Sequence, residues 1–172
     1  MYRPSIVDRG YFGIGIYYQK SDVNIGGLMR SAFCYGADFI FTIGKRYKHE
    51  ATDTTWSARH VPLYNYVDFD DFFCHLPHDC PVIGVEEKMD AHRIDFYQHP
   101  ERAIYLLGAE DIGLPIDIQK KCNDIVTIPF TKMCLNVTTA GTVVIHDRIM
   151  KRSRITINKK EQRKLIREWE PK

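Results

Sequence analysis

The chain has 172 residues, of which 44% are hydrophobic and 27% charged, with a formal net charge of +2. This length suits one domain, and the apolar fraction is sufficient for a packed core, which excludes wholesale disorder. No segment approaches the roughly 18 apolar residues of a transmembrane helix, and the N-terminus lacks the apolar segment of a secretory signal. We therefore expect a soluble, cytoplasmic protein with no membrane contact.

The charge is unevenly distributed along the chain. From residue 148 to the end there are ten basic and three acidic residues, a net charge of +7, whereas the preceding 147 residues carry a net charge of −5. This pattern predicts a domain over residues 1–152 and a basic extension over residues 153–172. The extension is either a contact for a polyanion or a solvated terminal helix.

The cysteines and histidines do not predict a metal site. Five cysteines, an odd number, are most simply free thiols in a reducing compartment. The run from Cys74 to Cys80 contains two histidines and superficially resembles a zinc knuckle, but no second pair of ligands follows at the required spacing. We interpret this run as a helix end and a loop before a strand, and we predict no bound metal.

Strands and helices alternate along the sequence. The first segment, YFGIGIYY, is apolar and aromatic as a buried strand is, and Asp22 is predicted to cap the helix that follows it. Such alternation predicts an α/β fold with a largely parallel sheet covered by helices on both faces. The predicted strands are 11–18, 39–43, 64–67, 81–85, 103–107 and 125–129, and the predicted helices are 24–35, 116–122, 135–152 and a short helix capped by Asp68 or Asp70 that ends at Leu76.

Three segments with unusual chemistry follow predicted strands: residues 24–30, 108–115 and 129–139. Ligands of parallel sheets bind beyond the carboxyl ends of the strands, so these segments predict a binding site. Each alone has a simpler explanation, such as helix packing at Gly26 and Gly27 or a helix cap at Asn136. The pair Gly13 and Gly15 lacks the third glycine of a dinucleotide fingerprint, which disfavours an oxidoreductase.

Together and in this order, the three segments resemble the SpoU/TrmH branch of the SPOUT methyltransferase superfamily, over about residues 11–152. The family motifs are N-x-G-x-x-x-R, then G-x-E-x-x-G-L, then I-P followed by S-L-N-V-x-x-A. Two positions depart from the family pattern, since Cys134 replaces a usual serine and Ala109 a frequent asparagine. The matching residues are Asn24, Gly26, Arg30, Gly108, Glu110, Gly113, Leu114, Ile128, Pro129, Leu135, Asn136, Val137 and Ala140.

The resemblance implies a SPOUT-type sheet with a C-terminal trefoil knot, a homodimer, and transfer of a methyl group from S-adenosylmethionine to a ribose 2′-hydroxyl of RNA. Its catalytic residues would be Arg30, Asn24, Glu110 and Asn136. Arg30 is expected to stabilise the developing alkoxide, and Glu110 to orient Arg30 through a hydrogen bond. The residues implied around the adenine and ribose of the cofactor are Leu107, Gly108, Ile128, Met133 and Leu135.

The RNA surface is predicted from residue types. The polar loop 45–62 combines cations with aromatic rings, a combination that suits phosphate contact and base stacking. Its candidates are Arg46, Lys48, Trp56 and Arg59, beside the basic extension. By analogy of size, the substrate is predicted to be tRNA, with rRNA as the alternative. A non-catalytic dimer that binds RNA or cofactor, and a SPOUT enzyme that methylates a base, remain as alternative functions.

Overall fold

The computed structural model describes residues 9–44 and 60–156, with side chains up to residue 152. Strands and helices alternate in most of this range, as the sequence predicts. The strands are β1 (Tyr11–Tyr17), β2 (Phe39–Ile43), β3 (Leu63–Tyr66), β4 (Val82–Val85), β5 (His92–Arg93), β6 (Arg102–Leu107) and β7 (Asp124–Thr127), and the helices are α1 (Asp22–Tyr35), α2 (Phe69–Cys74), α3 (Ile116–Gln119) and α4 (Val137–Thr156).

The seven strands form one sheet in the order β3-β2-β1-β6-β4-β7-β5, and every pairing is parallel. All carboxyl ends therefore meet at one edge, which we call the carboxyl edge. Residues 108–123 lead from β6 past β4 to β7, and residues 128–136 lead from β7 to α4. The α/β prediction is confirmed, whereas the trefoil knot stays a prediction.

Helices cover both faces of the sheet, as predicted. On one face, Phe12, Ile14 and Ile16 of β1 pack with apolar residues of α1 and α4. On the other face, Phe39 and Phe41 of β2 pack with α2, α3 and alternate residues of β6. The two cores explain the nearly continuous apolar sequence of β1, β2 and β6, because strands covered on both faces have no polar side.

The glycines of β1 are explained by packing. A Cβ atom on Gly13 would lie 2.2 Å from the ring of Phe39, and one on Gly15 would lie 2.5 Å from the ring of Phe41. Glycine thus leaves room beside β1 for two aromatic rings of the neighbouring strand. Core packing accounts for both glycines, so their presence does not indicate a phosphate-binding site at β1.

Several element ends differ from the predictions. The predicted cap Asp22 is wrong, since Ser21 occupies the N-cap position and Asp22 is the first helical residue. Asp68 is confirmed as the cap of α2, because its carboxylate accepts a hydrogen bond from the Asp71 amide. Strand β1 ends before Tyr18, whose φ of 48° leaves the extended region. Strand β5, which has two exposed residues, was not predicted from the sequence.

A buried polar network attaches α4 to the rest of the fold. The Arg148 side chain, fully buried, donates hydrogen bonds to the carbonyls of Arg9, Pro100 and Glu101 and to the Tyr105 hydroxyl. The Tyr105 hydroxyl and the Asp147 carboxylate in turn lie 2.6 and 2.8 Å from the two ring nitrogens of His99. Burial lowers the pKa of His99 to about 4 and raises that of Tyr105 to about 12.

All five cysteines lie in the described ranges and are free thiols, as predicted. Helix α2 ends at Cys74 and a loop leads to β4, so the knuckle-like run is a helix end and loop. Across residues 9–44 and 60–156, no helix is both long and apolar enough to cross a membrane.

Candidate functional site

A cavity of about 270 Å³ opens at the carboxyl edge, between the ends of β4, β6 and β7 and the start of α4. Its walls come mainly from the loop after β6 and the loop after β7, which are the second and third segments singled out in the sequence. Its volume is near the lower end of the range for small-molecule sites, roughly 300–1,000 Å³. The lining includes Val85, Glu86, Glu87, Leu107, Gly108, Glu110, Asp111, Thr127, Ile128, Thr131, Cys134, Leu135 and Val137.

Asn136 joins the three segments beside this cavity. Its side-chain NH₂ donates to the carboxylate of Glu110 at 2.7 Å and to the side-chain oxygen of Asn24 at 3.0 Å. Its own side-chain oxygen accepts from the backbone N–H groups of Thr138 and Thr139. Asn136 therefore acts both as the N-cap of α4 and as the bridge between two other predicted catalytic residues.

Close packing of α1 on α4 fixes the position of Asn24. The Thr138 hydroxyl donates to the backbone carbonyl of Asn24 at 2.8 Å, and the hydroxyls of Ser31 and Thr142 lie 2.7 Å apart. A Cβ atom on Gly27 would lie 2.8 Å from the Thr138 side chain, so glycine permits this approach. Asn24 is buried in the contact with its amide turned toward Asn136.

The second segment is a tight loop whose glycines are required by its geometry. A Cβ atom on Gly108 would lie 2.2 Å from the backbone of Gly113, and Gly113 itself has a φ of +62°. The Glu86 carboxylate accepts a hydrogen bond from the Leu114 amide at 2.5 Å, and the Leu114 side chain is buried in the second core. The loop thus holds Glu110 at the cavity and is itself held by Glu86.

Four of the five predicted cofactor residues line the cavity: Leu107, Gly108, Ile128 and Leu135. The fifth, Met133, is not among the lining residues and is 79% exposed. The loop from Ile128 to Asn136 contacts the cavity at some positions and turns outward at others. Sequence spacing alone does not show which positions turn outward.

The structure does not bring Arg30 into the cluster. Arg30 lies six residues beyond Asn24 on the same helix, which places it about 240° around the helix axis and roughly 9 Å along it. Its side chain is exposed, and within the described ranges it forms no hydrogen bond or ion pair. The predicted bond from Arg30 to Glu110 is absent from the described residues, because Arg30 lies on a different face of α1 from Asn24.

Three acidic residues that line the cavity were not predicted as site residues, namely Glu86, Glu87 and Asp111. Glu86 and Glu87 follow β4, so their place at a strand end was the available signal. The Cys134 thiol donates a hydrogen bond to the Glu87 carboxylate at 3.0 Å, and this bond, together with the negative charge of Glu87, raises the pKa of the thiol. Cys134 therefore stays protonated and donates its hydrogen bond to Glu87, as a serine hydroxyl would.

The predicted RNA-binding residues Arg46, Lys48, Trp56 and Arg59 lie outside the described residues, as does most of the basic extension. In the part of the chain that the structure describes, no three histidine, cysteine or acidic side chains are grouped so that they could hold a metal ion.

Solved structures with a similar fold are RNA-modifying proteins. An AdoMet-bound rRNA methyltransferase from Sinorhizobium meliloti aligns with a TM-score of 0.73 and 17% identity, over 83% of this chain and 57% of that protein. A TrmH/SpoU tRNA modifying enzyme from A. aeolicus aligns with a TM-score of 0.75 and 16% identity, over 95% and 90% of the two chains. A structure described as showing 2-OH methylation of C/U34 on tRNA aligns with a TM-score of 0.71 and 19% identity, over 81% and 95%.

At these identities the structural likeness shows the fold, and the chain spans less than two thirds of the S. meliloti protein. No curated protein sequence matches the chain. The family model of the SpoU rRNA methylases, however, matches residues 14–146, which include all three motif segments and the cavity. On this match, which covers well over half of its length, the chain belongs to the SpoU rRNA methylase family.

Proposed function

We propose that this protein is an S-adenosylmethionine-dependent methyltransferase that methylates a ribose 2′-hydroxyl of RNA. The observation that carries the proposal is the hydrogen-bonded set of Asn24, Asn136 and Glu110 beside the cavity. Membership of the SpoU family supports it, and so do the descriptions of the S. meliloti and tRNA-modifying structures. The alternative of a fold retained only for binding does not account for the hydrogen bonds that join Asn24 through Asn136 to Glu110 at the cavity.

The cavity has a chemical character that fits the cofactor. Apolar side chains of Leu107, Ile128 and Leu135 offer a surface for a flat adenine ring. Glu87 and Asp111 line the same space, and Lys20 forms an ion pair with the Asp111 carboxylate. S-Adenosylmethionine carries two cationic groups, a sulfonium and an ammonium, which the Glu87 carboxylate would attract.

Bound cofactor would supply a methyl group on a sulfonium for in-line transfer to an oxygen nucleophile. The side chains of Glu110 and Asn136 are the polar groups placed to hold a ribose at that position, since they are exposed at the cavity mouth. A guanidinium keeps its charge near neutral pH, so Arg30 would stabilise the negative charge that develops on the ribose oxygen rather than remove its proton. The proton would pass to water as the bond from oxygen to the methyl group forms and the bond from sulfur to the methyl group breaks.

In a homodimer, Arg30 of one subunit could reach the site of the other subunit. It is exposed, it has no polar partner among the described residues, and it lies on a different face of α1 from Asn24. A second copy would receive it if the two α1 helices approached each other across a two-fold axis. We therefore propose that the partner subunit's site uses Arg30.

Mixing two inactive variants tests this arrangement. Arg30→Ala and Asn136→Ala each remove one contribution, and a mixed dimer in which Arg30 acts across the interface has one intact site. Random mixing should then restore about a quarter of the wild-type methyl transfer rate. If mixed dimers are demonstrated and no activity is restored, Arg30 acts within its own chain.

The variant Arg30→Lys keeps the positive charge but lacks the guanidinium group. Recovery of most activity with lysine would contradict a specific guanidinium role.

The function itself is tested by incubating purified protein with methyl-labelled cofactor and either bulk tRNA or rRNA. A methyl group on a ribose 2′-oxygen blocks alkaline cleavage of the next phosphodiester bond, so labelled dinucleotides should survive alkaline hydrolysis. Label recovered only in mononucleotides would indicate base methylation, and binding of cofactor without transfer would indicate a non-catalytic protein. We expect tRNA to be the better substrate.

We also propose that loop 45–62 and the basic extension contact the RNA backbone. A chain ending at Arg152 should bind cofactor normally but bind tRNA less tightly, and its affinity should depend less steeply on salt concentration. Arg46→Ala and Arg59→Ala should act in the same direction. If the shortened and full chains bind tRNA with equal affinity, the extension is a solvated end that does not contact the RNA.

A further inference from the structure

Three exposed side chains at the carboxyl edge form a stack outside the cavity. The Arg93 guanidinium lies 4.7 Å from the centre of the Phe130 ring and 5.0 Å from that of Phe96. The two phenylalanines are 87% and 74% exposed, respectively. We refer to these residues as the Phe96–Arg93–Phe130 stack.

The stack lies beside the cavity. Phe130 falls between Ile128 and Thr131, which both line the cavity, and Arg93 pairs in register with Thr127, a third lining residue. A second hollow, lined by Phe96, Gln98 and Asp124 among others, continues from the stack along the outer strand β5. An RNA strand whose ribose reaches the cavity mouth would therefore pass over or next to these rings.

The Phe130 backbone adopts a conformation that turns its ring outward. Its φ of +66° is in the left-handed region, which is unfavourable for a bulky side chain. Strain of this kind persists mainly at ligand-binding and catalytic positions. Here it leaves a large apolar ring in water at the cavity mouth, where burying the ring would have been the ordinary outcome of folding.

The electrostatics of the stack favour a flat, uncharged ligand. Asp95 accepts two hydrogen bonds from the Arg93 guanidinium, at 2.7 and 3.2 Å, and so offsets its charge. The stack then presents aromatic faces with little net charge, and these suit a nucleobase better than a phosphate. Bases that leave a stacked RNA strand commonly stack on aromatic side chains, which every base can do.

We propose that the Phe96–Arg93–Phe130 stack is a nucleobase platform on which Phe130 stacks a base at, or next to, the nucleotide whose ribose is methylated. This inference rests on the proposed function. It assigns RNA contact to residues outside loop 45–62 and the basic extension. Arg93 holds the two rings in place, and the hollow beside Phe96 leaves room for a neighbouring base.

The test compares two probes: a mixed-sequence single-stranded oligoribonucleotide of about 10 nucleotides, and an abasic oligomer with the same sugar–phosphate backbone. Phe130→Ala should weaken binding of the first by about tenfold and leave binding of the second unchanged. Phe130→Trp should restore the affinity. Phe96→Ala should show a smaller loss, and Phe73→Ala, which removes an exposed ring of α2, is the matched control without effect.

Three outcomes would overturn the inference: unchanged RNA affinity in Phe130→Ala, equal losses on both probes, or dissociation of a dimer on removal of either ring. The last outcome would show that the stack is an interface between copies of the chain.

Cofactor affinity and wild-type methyl transfer are measured in parallel. If the wild type methylates RNA and Phe130→Ala binds it equally well, only the inference fails, whereas a wild type without transfer contradicts the proposed function.

Discussion

Asn136 has two structural tasks that are usually given to separate residues. Its oxygen caps α4, and its NH₂ group ties Glu110 to Asn24. A glutamine could not cap in this way because its amide is one bond farther from the backbone. A serine could cap, but it has a single hydrogen to donate where asparagine has two. The motif position therefore requires asparagine for chemical reasons that a helix cap alone does not impose.

Substitutions at this residue should separate the two tasks. Asn136→Ala removes the cap and should lower the free energy of unfolding by about 1 kcal/mol, whereas Asn136→Ser keeps a capping oxygen and should lower it much less. Both variants should lose most methyl transfer, since neither can bridge Glu110 and Asn24. Urea denaturation and a transfer assay measure the two effects. Full activity in Asn136→Ser would show that the bridge is dispensable.

Cys134 offers a direct probe of the cavity. Its thiol is exposed, and the neighbouring Glu87 carboxylate raises its pKa, so alkylation should be slow at neutral pH. We expect S-adenosylmethionine to slow alkylation further, because the ligand would cover a residue that lines the cavity. Comparison with Cys134→Ser subtracts the reaction of the exposed thiols Cys34 and Cys74. Alkylation at the same rate with saturating ligand would place the cofactor elsewhere.

At the scale of elements, the loop after β6 is held by one carboxylate and two glycines. Gly113→Ala would place a Cβ atom 2.4 Å from the Glu86 carboxylate at a backbone φ of +62°. We expect the free energy of unfolding to fall by about 1–2 kcal/mol and cofactor affinity to fall with it. Calorimetric titration and urea denaturation measure these effects. Ile116→Ala, at an exposed position on α3 just beyond the loop, is the control. Unchanged cofactor affinity in Gly113→Ala would show that this loop does not shape the site.

How far the elements could be predicted depended on their burial. Strand β2 was predicted to the residue because all five of its side chains are buried and four of them are apolar. Strand β5 was missed because it has only two residues, His92 and Arg93, and both are polar and exposed, so no apolar pattern marks it. The motif residues Asn24, Glu110 and Asn136 could be identified because the family requires their side chains.

The positions of Arg30, Met133 and Glu86 depend on tertiary geometry. The motif places Arg30 six residues after Asn24, and a helix separates them by about 240°, but which of the two faces meets α4 is known only from the α1–α4 contact. Met133 lies in a loop whose turns are set by packing rather than by its own sequence. Glu86 could be suspected from its place at a strand end, but its hydrogen bond to the loop after β6 depends on the chain returning past β4.

At the scale of the whole molecule, the buried network of Arg148, His99 and Tyr105 closes the fold behind the site. It connects α4, β6 and the segment before β1, which are far apart in sequence. Asn136 is the N-cap of the same helix α4, so anchoring the middle of the helix also fixes the orientation of its N-terminal end at the cavity. Arg148→Met would remove the side-chain donor of three carbonyls, of which that of Glu101 keeps the Tyr11 amide, and we expect it to lower the free energy of unfolding by about 3 kcal/mol or more. Thermal denaturation measures this, and a loss below about 1 kcal/mol would contradict the structural role.

The same network makes stability depend on pH. Burial holds the pKa of His99 at about 4, below its ordinary value of 6.5, although the hydrogen bond to Asp147 opposes this shift. Between these two values the unfolded chain binds a proton that the folded chain does not, so the stabilisation is complete above about pH 6.5 and is lost as pH falls toward 4. The difference corresponds to about 3 kcal/mol of unfolding free energy. Because aspartates also titrate in this window, the measurement is the difference between wild type and His99→Gln in urea denaturation at pH 7 and pH 4. The variant should lose less stability than the wild type, and parallel losses would show that His99 is not the group that takes up the proton.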